Sequence, residues 1–281
     1  MKLKTLAIAI AAAAMPFAAQ AELKVGGDIG VAYQQNSAGV KSFDESGSEI
    51  NVDASHKVGG TTFYGHTEID FGGTGNTAAF QEVRVGAKGA FGEVILGDAD
   101  NACDQLDVGD TNEVWVTHGQ GGCQGADANN MVYKRSMGAV TAAISTSPDT
   151  DAQSEENVAF GLKGKMGPVT ASFGYEDGDL DGNTATPDVD NIVVGLSGSF
   201  GPATVGLTAN KLDGGDTDVG ANFLVSRGAN NFYGGIGDVG NTDSWSLGYK
   251  RVMGKTDFIA EIADTDGATD SAYAVGMRHR F

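Results

Sequence analysis

No apolar run after residue 21 is long enough for a transmembrane helix, which needs ~18 consecutive apolar residues. Basic residues are also scarce, because 18 Lys and Arg stand against 37 Asp and Glu in the 281 residues. So acidic a chain is repelled by phosphate backbones, and nucleic acid is excluded as an expected partner. The sequence also lacks a phosphate-binding loop, a dinucleotide fingerprint and a thiolate metal cluster. It therefore predicts a protein that is not an enzyme and requires no cofactor.

The first 21 residues have the features of a secretory signal. Lys2 and Lys4 precede an apolar run from Leu6 to Ala19, and Ala19-Gln20-Ala21 fits the small-x-small cleavage rule. We predict a signal peptide at residues 1–21 and one mature domain at 22–281, the alternative being a membrane anchor that stays in place. The mature chain would carry 16 basic and 37 acidic residues, a net charge of −21. Without a helical span, such an exported chain can cross a membrane only as strands.

After residue 21, apolar residues recur mainly at every second position, which is the period of a strand with one oily face. In the first segment Leu23, Val25 and Ile29 alternate with Lys24 and Asp28, so its two faces meet different solvents. The same pattern predicts sixteen strands, an even number. They span residues 23–33, 50–58, 61–71, 80–89, 92–98, 129–135, 139–146, 157–165, 169–176, 191–200, 203–211, 219–226, 231–239, 244–252, 256–264 and 271–281.

The predicted connections alternate between tight turns and longer polar loops, as in outer-membrane barrels. The tight turns fall at residues 59–60, 90–91, 136–138, 166–168, 201–202, 227–230 and 253–254. An unpaired backbone amide costs several kcal/mol in hydrocarbon, so a sheet with an apolar outer face must close on itself. The predicted fold class is all-β: a transmembrane antiparallel up-and-down β-barrel of about 16 strands around an aqueous channel. A soluble adhesin or β-helix is the alternative.

Two stretches resemble the strand-turn-strand unit of the trimeric Gram-negative general porins. They are Val83 to Gly97 (VRVGAKGAFGEVILG) and Val158 to Tyr175 (VAFGLKGKMGPVTASFGY). The final segment, Tyr273 to Phe281, is similar to that family's last strand, with apolar residues at alternate positions and a terminal phenylalanine. The resemblance implies a homotrimer in the outer membrane of a Gram-negative bacterium, in contact with its lipid and lipopolysaccharide.

In that family the third long loop folds inward and narrows the pore. The corresponding segment here is residues 98–128, the only loop of its size, and an outward-facing capping loop is the alternative. The resemblance also implies an acidic loop opposite a basic strand wall. The loop candidates are Asp100, Asp104, Asp107, Asp110 and Glu113, and the wall candidates are Lys24, Lys57, Arg84, Lys88 and Lys134. Asp98 departs from the pattern, since many relatives have an arginine there.

The only two cysteines, Cys103 and Cys123, both lie in this segment. An oxidising periplasm lets them pair, and closing that loop would contribute about 3 kcal/mol on the chain-entropy model. We predict a disulfide that stiffens the loop.

Acidic residues collect in the predicted loops, while many Lys and Arg lie beside the short turns. A negative mouth concentrates cations, so we predict passive transport of small hydrophilic solutes and ions with cation preference. The inward positions are mostly Gly, Ala, Ser, Thr and Asn with scattered charge. This composition favours general diffusion over the alternative of a substrate-selective porin.

Two further patterns have competing interpretations. Asp177, Asp179, Asp181 and Asp188 have the spacing of a calcium loop, but position twelve is Asp rather than Glu and flanking helices are missing. A solvated acidic loop is the alternative. His66, Glu68 and Asp70 alternate on one strand face. This is the only pattern that favours an enzyme, and any wetted lumen would show it.

Overall fold

The computed structural model describes residues 22–44, 48–71, 79–108, 115, 118, 122–123, 130–147, 157–177 and 190–281. Seventeen strands make up most of this part of the chain. They are β1 Glu22–Gln35, β2 Lys41–Asp44, β3 Glu49–Val58, β4 Thr61–Asp70, β5 Ala79–Gly89, β6 Gly92–Gly97, β7 Asn130–Met137, β8 Val140–Ser147, β9 Asn157–Met166, β10 Val169–Asp177, β11 Asn191–Phe200, β12 Ala203–Leu212, β13 Thr217–Arg227, β14 Asn230–Val239, β15 Thr242–Met253, β16 Thr256–Thr265 and β17 Ala272–Arg280. A short 3₁₀ turn, Asp104–Leu106, lies between β6 and β7. None of the described residues form a helix long and apolar enough to cross a membrane.

The strands form one closed antiparallel sheet. From β3 to β17 each strand pairs with its neighbours in the sequence, and β17 returns to pair with β1. This closing seam runs from Asp28 opposite Arg280 to Gln35 opposite Tyr273. A ring of this kind has no open edge, so its strands satisfy their backbone groups on both sides, as hydrocarbon requires. The predicted transmembrane β-barrel is confirmed.

β2 and β3 are two parts of a single barrel strand. Both pair with the edge of β1 that faces away from β17, β2 at Ala32 to Gln35 and β3 at Glu22 to Asp28. Counted this way the barrel has sixteen strands, the predicted number. The sequence pattern does not predict β2, because four residues are too few to show a period of two.

The strand register separates apolar side chains outside the barrel from polar or small ones inside. On β15, Trp245 is exposed at the surface, whereas Ser244 and Ser246 on either side of it are buried. The inner face also holds charged groups such as Glu176 and Asp257, both 0% exposed. Soluble proteins have the opposite distribution. The outer face is therefore suited to contact with lipid.

Outward aromatic rings gather near both ends of the strands. Tyr33 lies close to Phe43 and Tyr273 at the end with the longer loops, with ring centroids 5.6 and 6.3 Å away. Phe232 and Tyr249 lie 5.2 Å apart near the short turns. Two such belts mark the membrane interfaces of outer-membrane barrels.

The two ends of the barrel differ in their connections, although less than the sequence predicts. The seven predicted tight turns all lie at one end. At the other end, β14 and β15 are joined only by Gly240 and Asn241, with φ of 58° and 61°, and β12 and β13 by residues 213–216. The expectation of longer loops throughout this end is therefore wrong. Glycine and asparagine adopt the positive φ of a two-residue type I′ turn readily.

Gly276 provides a test of the closing seam. A Cβ at this inward position would lie 2.3 Å from the carbonyl oxygen of Val31 on β1, whereas a Cβ at Gly60 would meet nothing within 4 Å. We expect Gly276→Ala to lower the free energy of unfolding by about 1–3 kcal/mol, the usual cost of overpacking. Gly60→Ala should leave it unchanged. Urea unfolding in detergent measures both, and equal stability of the two variants would contradict the seam.

Candidate functional site

The third long loop leaves the wall at the end of β6. Gly97 has a φ of +119°, and a Cβ there would lie 2.3 Å from the carbonyl oxygen of Val83 on β5. Glycine therefore permits the turn. The amide of Asp98 donates to the same oxygen at 3.0 Å, which holds the start of the loop against β5.

A small apolar surface on the inner wall, called here the loop seat, holds the first limb of the loop. The loop residues Ala102, Cys103 and Leu106 are buried against the wall residues Ala143, Ala159 and Val193. Two inward glycines provide the space, because Cβ atoms at Gly161 and Gly174 would lie 2.0 Å from the Ala102 oxygen and 2.1 Å from the Cys103 sulfur. These glycines thus allow the loop backbone to lie directly on the wall.

A buried carboxylate connects the two limbs of the loop. Glu176 on β10 accepts hydrogen bonds from Asn101 Nδ2 at 2.6 Å and from Asn191 Nδ2 at 2.7 Å. Asn191 Nδ2 also donates to the carbonyl oxygen of Gly122, on the second limb, at 3.1 Å. A buried polar group that is left without its hydrogen-bond partner costs about 1–3 kcal/mol. The Glu176 network therefore stabilises both limbs against the same strand.

Cys103 and Cys123 form the disulfide that the sequence predicts, with their Cα atoms 5.8 Å apart. The bond links the two limbs across a sequence separation of 20. Both sulfur atoms lie over Gly174, within 3.3 Å of where a Cβ would stand. The disulfide and the Glu176 network therefore hold the loop at one place on β10.

Further along the chain, the loop contacts the opposite wall. The amide of Trp115 donates to Glu261 Oε2 on β16 at 2.8 Å, and the Trp115 ring lies beside Gly30 on β1. His118 Nδ1 lies 2.9 Å from Ser246 Oγ on β15. These strands lie across the ring from the loop seat. The described parts of the loop therefore contact two facing sides of the lumen.

Three of the five predicted loop acids lie within the described residues. Asp104 is exposed and Asp100 is partly buried. Asp107 accepts a hydrogen bond from Ser172 Oγ on β10 at 3.4 Å. Asp110 and Glu113 lie outside the described residues. A constriction lined by all five acids stays a prediction.

The predicted basic residues of the wall all occupy inward positions in the register. Two of them, one on β1 and one on β5, have acidic partners on their own strands. Lys24 Nζ lies 3.0 Å from Glu22 Oε1, and Arg84 pairs with Glu82. Lys57 shares the inward face with Thr62 near the short turns. The positive charges of Lys24 and Arg84 are therefore balanced by the neighbouring carboxylates of Glu22 and Glu82.

The other two wall cations share one carboxylate. Lys88 and Lys134 lie 3.6 and 3.5 Å from Glu93 Oε2 on β6, and the hydroxyl of Tyr64 donates to Glu93 Oε1 at 2.8 Å. Lys134 also donates to Gln105 of the loop at 2.9 Å. This side of the wall is a set of ion pairs rather than a row of bare cations.

A second basic group, outside the predicted set of wall residues, lies on the inner face of β15 and β17. Its members are Lys250, Arg278 and Arg280. Arg280 pairs with the fully buried Asp257 and lies 3.5 Å from Asp28 of β1. Successive side chains of a strand point to opposite faces. Counting back in steps of two from the end of β17 therefore predicts that Arg278 and Arg280 both face the lumen.

A family model described as Gram-negative porin matches residues 5–281. The chain belongs to the Gram-negative porin family. The porin is accordingly a multi-pass β-barrel channel protein of the outer membrane. No curated protein sequence matches it.

Solved structures with the same fold resemble this porin over almost its whole length. OmpT, an outer membrane protein of Vibrio cholerae in trimer form, has a TM-score of 0.76 at 14% identity, covering 93% of this chain and 100% of that one. A mutant of the Rh. blastica porin has 0.71 at 14%, covering 92% and 100%. The anion-selective porin from Comamonas acidovorans has 0.69 at 18%, covering 93% and 100%. Identities this low support the fold alone.

Two predictions fall mainly outside the described part of this porin. Of the calcium-loop residues only Asp177 is described, at the end of β10, whereas Asp179, Asp181 and Asp188 are not. Calcium binding therefore stays a prediction. The signal peptide, residues 1–21, also lies outside the described residues.

Gly161 provides a test of the loop seat in this porin. Gly161→Ala places a Cβ where the Ala102 carbonyl lies, whereas Gly164→Ala on the same strand makes only an ordinary contact, 3.9 Å from Val140. We expect Gly161→Ala to weaken loop docking by about 1–3 kcal/mol, which single-channel recordings would show as frequent steps between conductance levels. Gly164→Ala should keep the steady level of the unmodified protein. One steady level in both variants would contradict the loop seat.

Proposed function

We propose that this porin is a general diffusion channel through which small hydrophilic solutes and ions cross the outer membrane passively. The observation that carries the proposal is the third loop, whose described parts contact both facing sides of the lumen. A loop that lies across the lumen limits the cross-section open to a solute. A capping loop directed outward would not make these contacts with inward side chains.

The inner face supports general diffusion over substrate selection. Most of its described residues are small or polar, and the aromatic side chains of Tyr64 and Tyr233 are hydrogen-bonded to carboxylates of the wall. Tyr233 is 1% exposed and donates to Glu261 Oε1 at 2.6 Å, so its ring offers no stacking surface to a sugar. Tyr64 is tied to Glu93. A substrate-selective porin is the alternative.

Liposome swelling distinguishes these two functions. With sugars of increasing size, a general channel should give rates that fall smoothly with solute radius, because only the cross-section decides passage. Protein-free liposomes set the background rate. A sharp preference for one sugar over others of equal size would favour the selective alternative.

Cation preference is the second part of the proposal. The mature chain carries 16 basic and 37 acidic residues, and four of the five wall cations have acidic partners on the wall. Asp104 of the loop is exposed. The excess negative potential should concentrate cations in the channel. The anion selectivity of the Comamonas acidovorans porin is a property of that protein.

A bilayer recording under a salt gradient tests the ion preference. We expect a reversal potential of cationic sign. A unit charge about 8 Å from the ion path shifts the energies of a cation and of an anion in opposite directions, by about 0.5 kcal/mol each in water, so Asp104→Asn should lower the cation-to-anion permeability ratio roughly five-fold. Asp243→Asn, the same change at an exposed outward position, should have no effect. An anionic reversal potential would contradict the preference.

The proposal also includes assembly as a homotrimer, in contact with outer-membrane lipid and lipopolysaccharide. OmpT of Vibrio cholerae, with the same fold, is described in a trimer form. The outward apolar face and its two aromatic belts give the lipid contact its physical basis.

A further inference from the structure

A cluster of metal-ligating side chains lies on the inner wall of β3, β4 and β5, outside the loop seat. It contains Asp53, His66, Glu68 and Glu82, beside Arg84. All five face a cavity of about 800 Å³. The cluster lies near the middle of its strands. Arg84 on β5 lies opposite Gly97 on β6, where the third loop begins. A solute passing the loop therefore passes this cluster.

The strand register brings these residues together, although the sequence separates them by up to 31 positions. Asp53 lies opposite His66, His66 opposite Arg84, and Glu68 opposite Glu82. Asp70, which the sequence pattern grouped with His66 and Glu68, lies opposite Glu49 at the end of the β3–β4 pairing. The relevant set therefore runs across three strands rather than along one.

Asp53 orients the ring of His66. Asp53 Oδ1 lies 2.8 Å from His66 Nδ1, which suits donation from Nδ1–H to the carboxylate. In the neutral imidazole with that tautomer, Nε2 is the nitrogen that can bind a metal. A carboxylate behind a ligating histidine is the usual arrangement in protein metal sites, where it fixes the tautomer and the ring orientation.

The distances on the other side of the ring suit a small divalent ion. His66 Nε2 lies 3.5 Å from Glu82 Oε2, and one ligand atom each of His66, Glu68 and Glu82 all lie within 4.8 Å of one another. Zinc bonds of 2.0–2.2 Å in tetrahedral geometry separate ligand atoms by about 3.3–3.5 Å. Small rotations of the two glutamates therefore suffice, and the lumen can supply water as a fourth ligand.

We propose that His66, Glu68 and Glu82 bind a divalent transition-metal ion such as Zn²⁺ from the lumen, with Asp53 orienting His66. The imidazole favours zinc and its neighbours over calcium and magnesium, which prefer oxygen ligands alone. The Arg84 guanidinium competes for Glu82 and weakens the site. Binding is therefore exchangeable, as a site on a conduction path requires. A bound ion adds two positive charges to the wall and lowers the cation current, a consequence that rests on the proposed channel function.

Calorimetric titration of the refolded mature protein with zinc chloride, in a buffer that does not chelate zinc, tests the site without relying on conduction. We expect saturable binding that His66→Gln abolishes and that Asp53→Asn weakens about 10–100-fold, the usual effect of losing an orienting carboxylate. Arg84→Gln should bind zinc more tightly, since the competing cation is gone. His56→Gln, on the outward face of β3, is the matched control and should bind like the unmodified protein.

The outcomes separate the site from the channel. No zinc binding at millimolar concentration, unchanged binding in His66→Gln, or equal competition by Mg²⁺ would overturn the metal site. In bilayers, zinc should reduce the cation current of the unmodified protein but not of His66→Gln. Zinc binding that leaves the current unchanged would refute the effect on conduction, and bilayers that stay silent would refute the proposed function while the calorimetry still decides the site.

Discussion

A backbone amide or carbonyl without a hydrogen-bond partner costs several kcal/mol in hydrocarbon, and the form of the whole molecule follows from this constraint. A sheet with an apolar outer face can satisfy it only by joining its first strand to its last. Here β1 pairs with β17, and even the final residue takes part, since the amide of Phe281 donates to the carbonyl oxygen of Gly27 at 3.1 Å. Closure leaves an enclosed lumen, and the inward side chains determine what that lumen does.

The inner wall has two parts with different chemistry. On one side, small and apolar residues such as Ala143, Ala159 and Gly161 accept the backbone of the third loop, and Glu176 and the disulfide hold its two limbs. Next to this region, from β3 to β7, lysine, arginine, histidine and carboxylate side chains form ion pairs on the inner face. The loop and this charged wall together define the path that we assign to solutes.

The two-residue period of apolar side chains and the residues of the tight turns were enough to predict the strands, their number and the closed barrel. Each strand repeats this alternation over about ten residues. The same signal is absent from four-residue β2. Gly161 and Gly174 are inward positions whose space is filled by Ala102 and Cys103, a contact that the strand pattern alone does not predict. The sequence contains one sign of the loop seat, because Val193 is a larger apolar residue at an inward position. Most other inward residues are small or polar.

The charged wall was harder to predict, because the effect of a cation depends on its neighbours across the sheet. Lys88 and Glu93 face each other across the tight turn between β5 and β6, so this pair could be derived from the hairpin. The approach of Lys134 to the same carboxylate crosses a connection of 32 residues, from 98 to 129. Spacing along the chain cannot reveal such a contact.

The central claim is a closed barrel around a water-filled path that the third loop narrows. Single-channel recording of the refolded mature protein in a planar bilayer tests it most directly. The account predicts discrete, reproducible conductance steps that scale with bulk salt conductivity. A purified protein that remains soluble without detergent and leaves the bilayer electrically silent would contradict it.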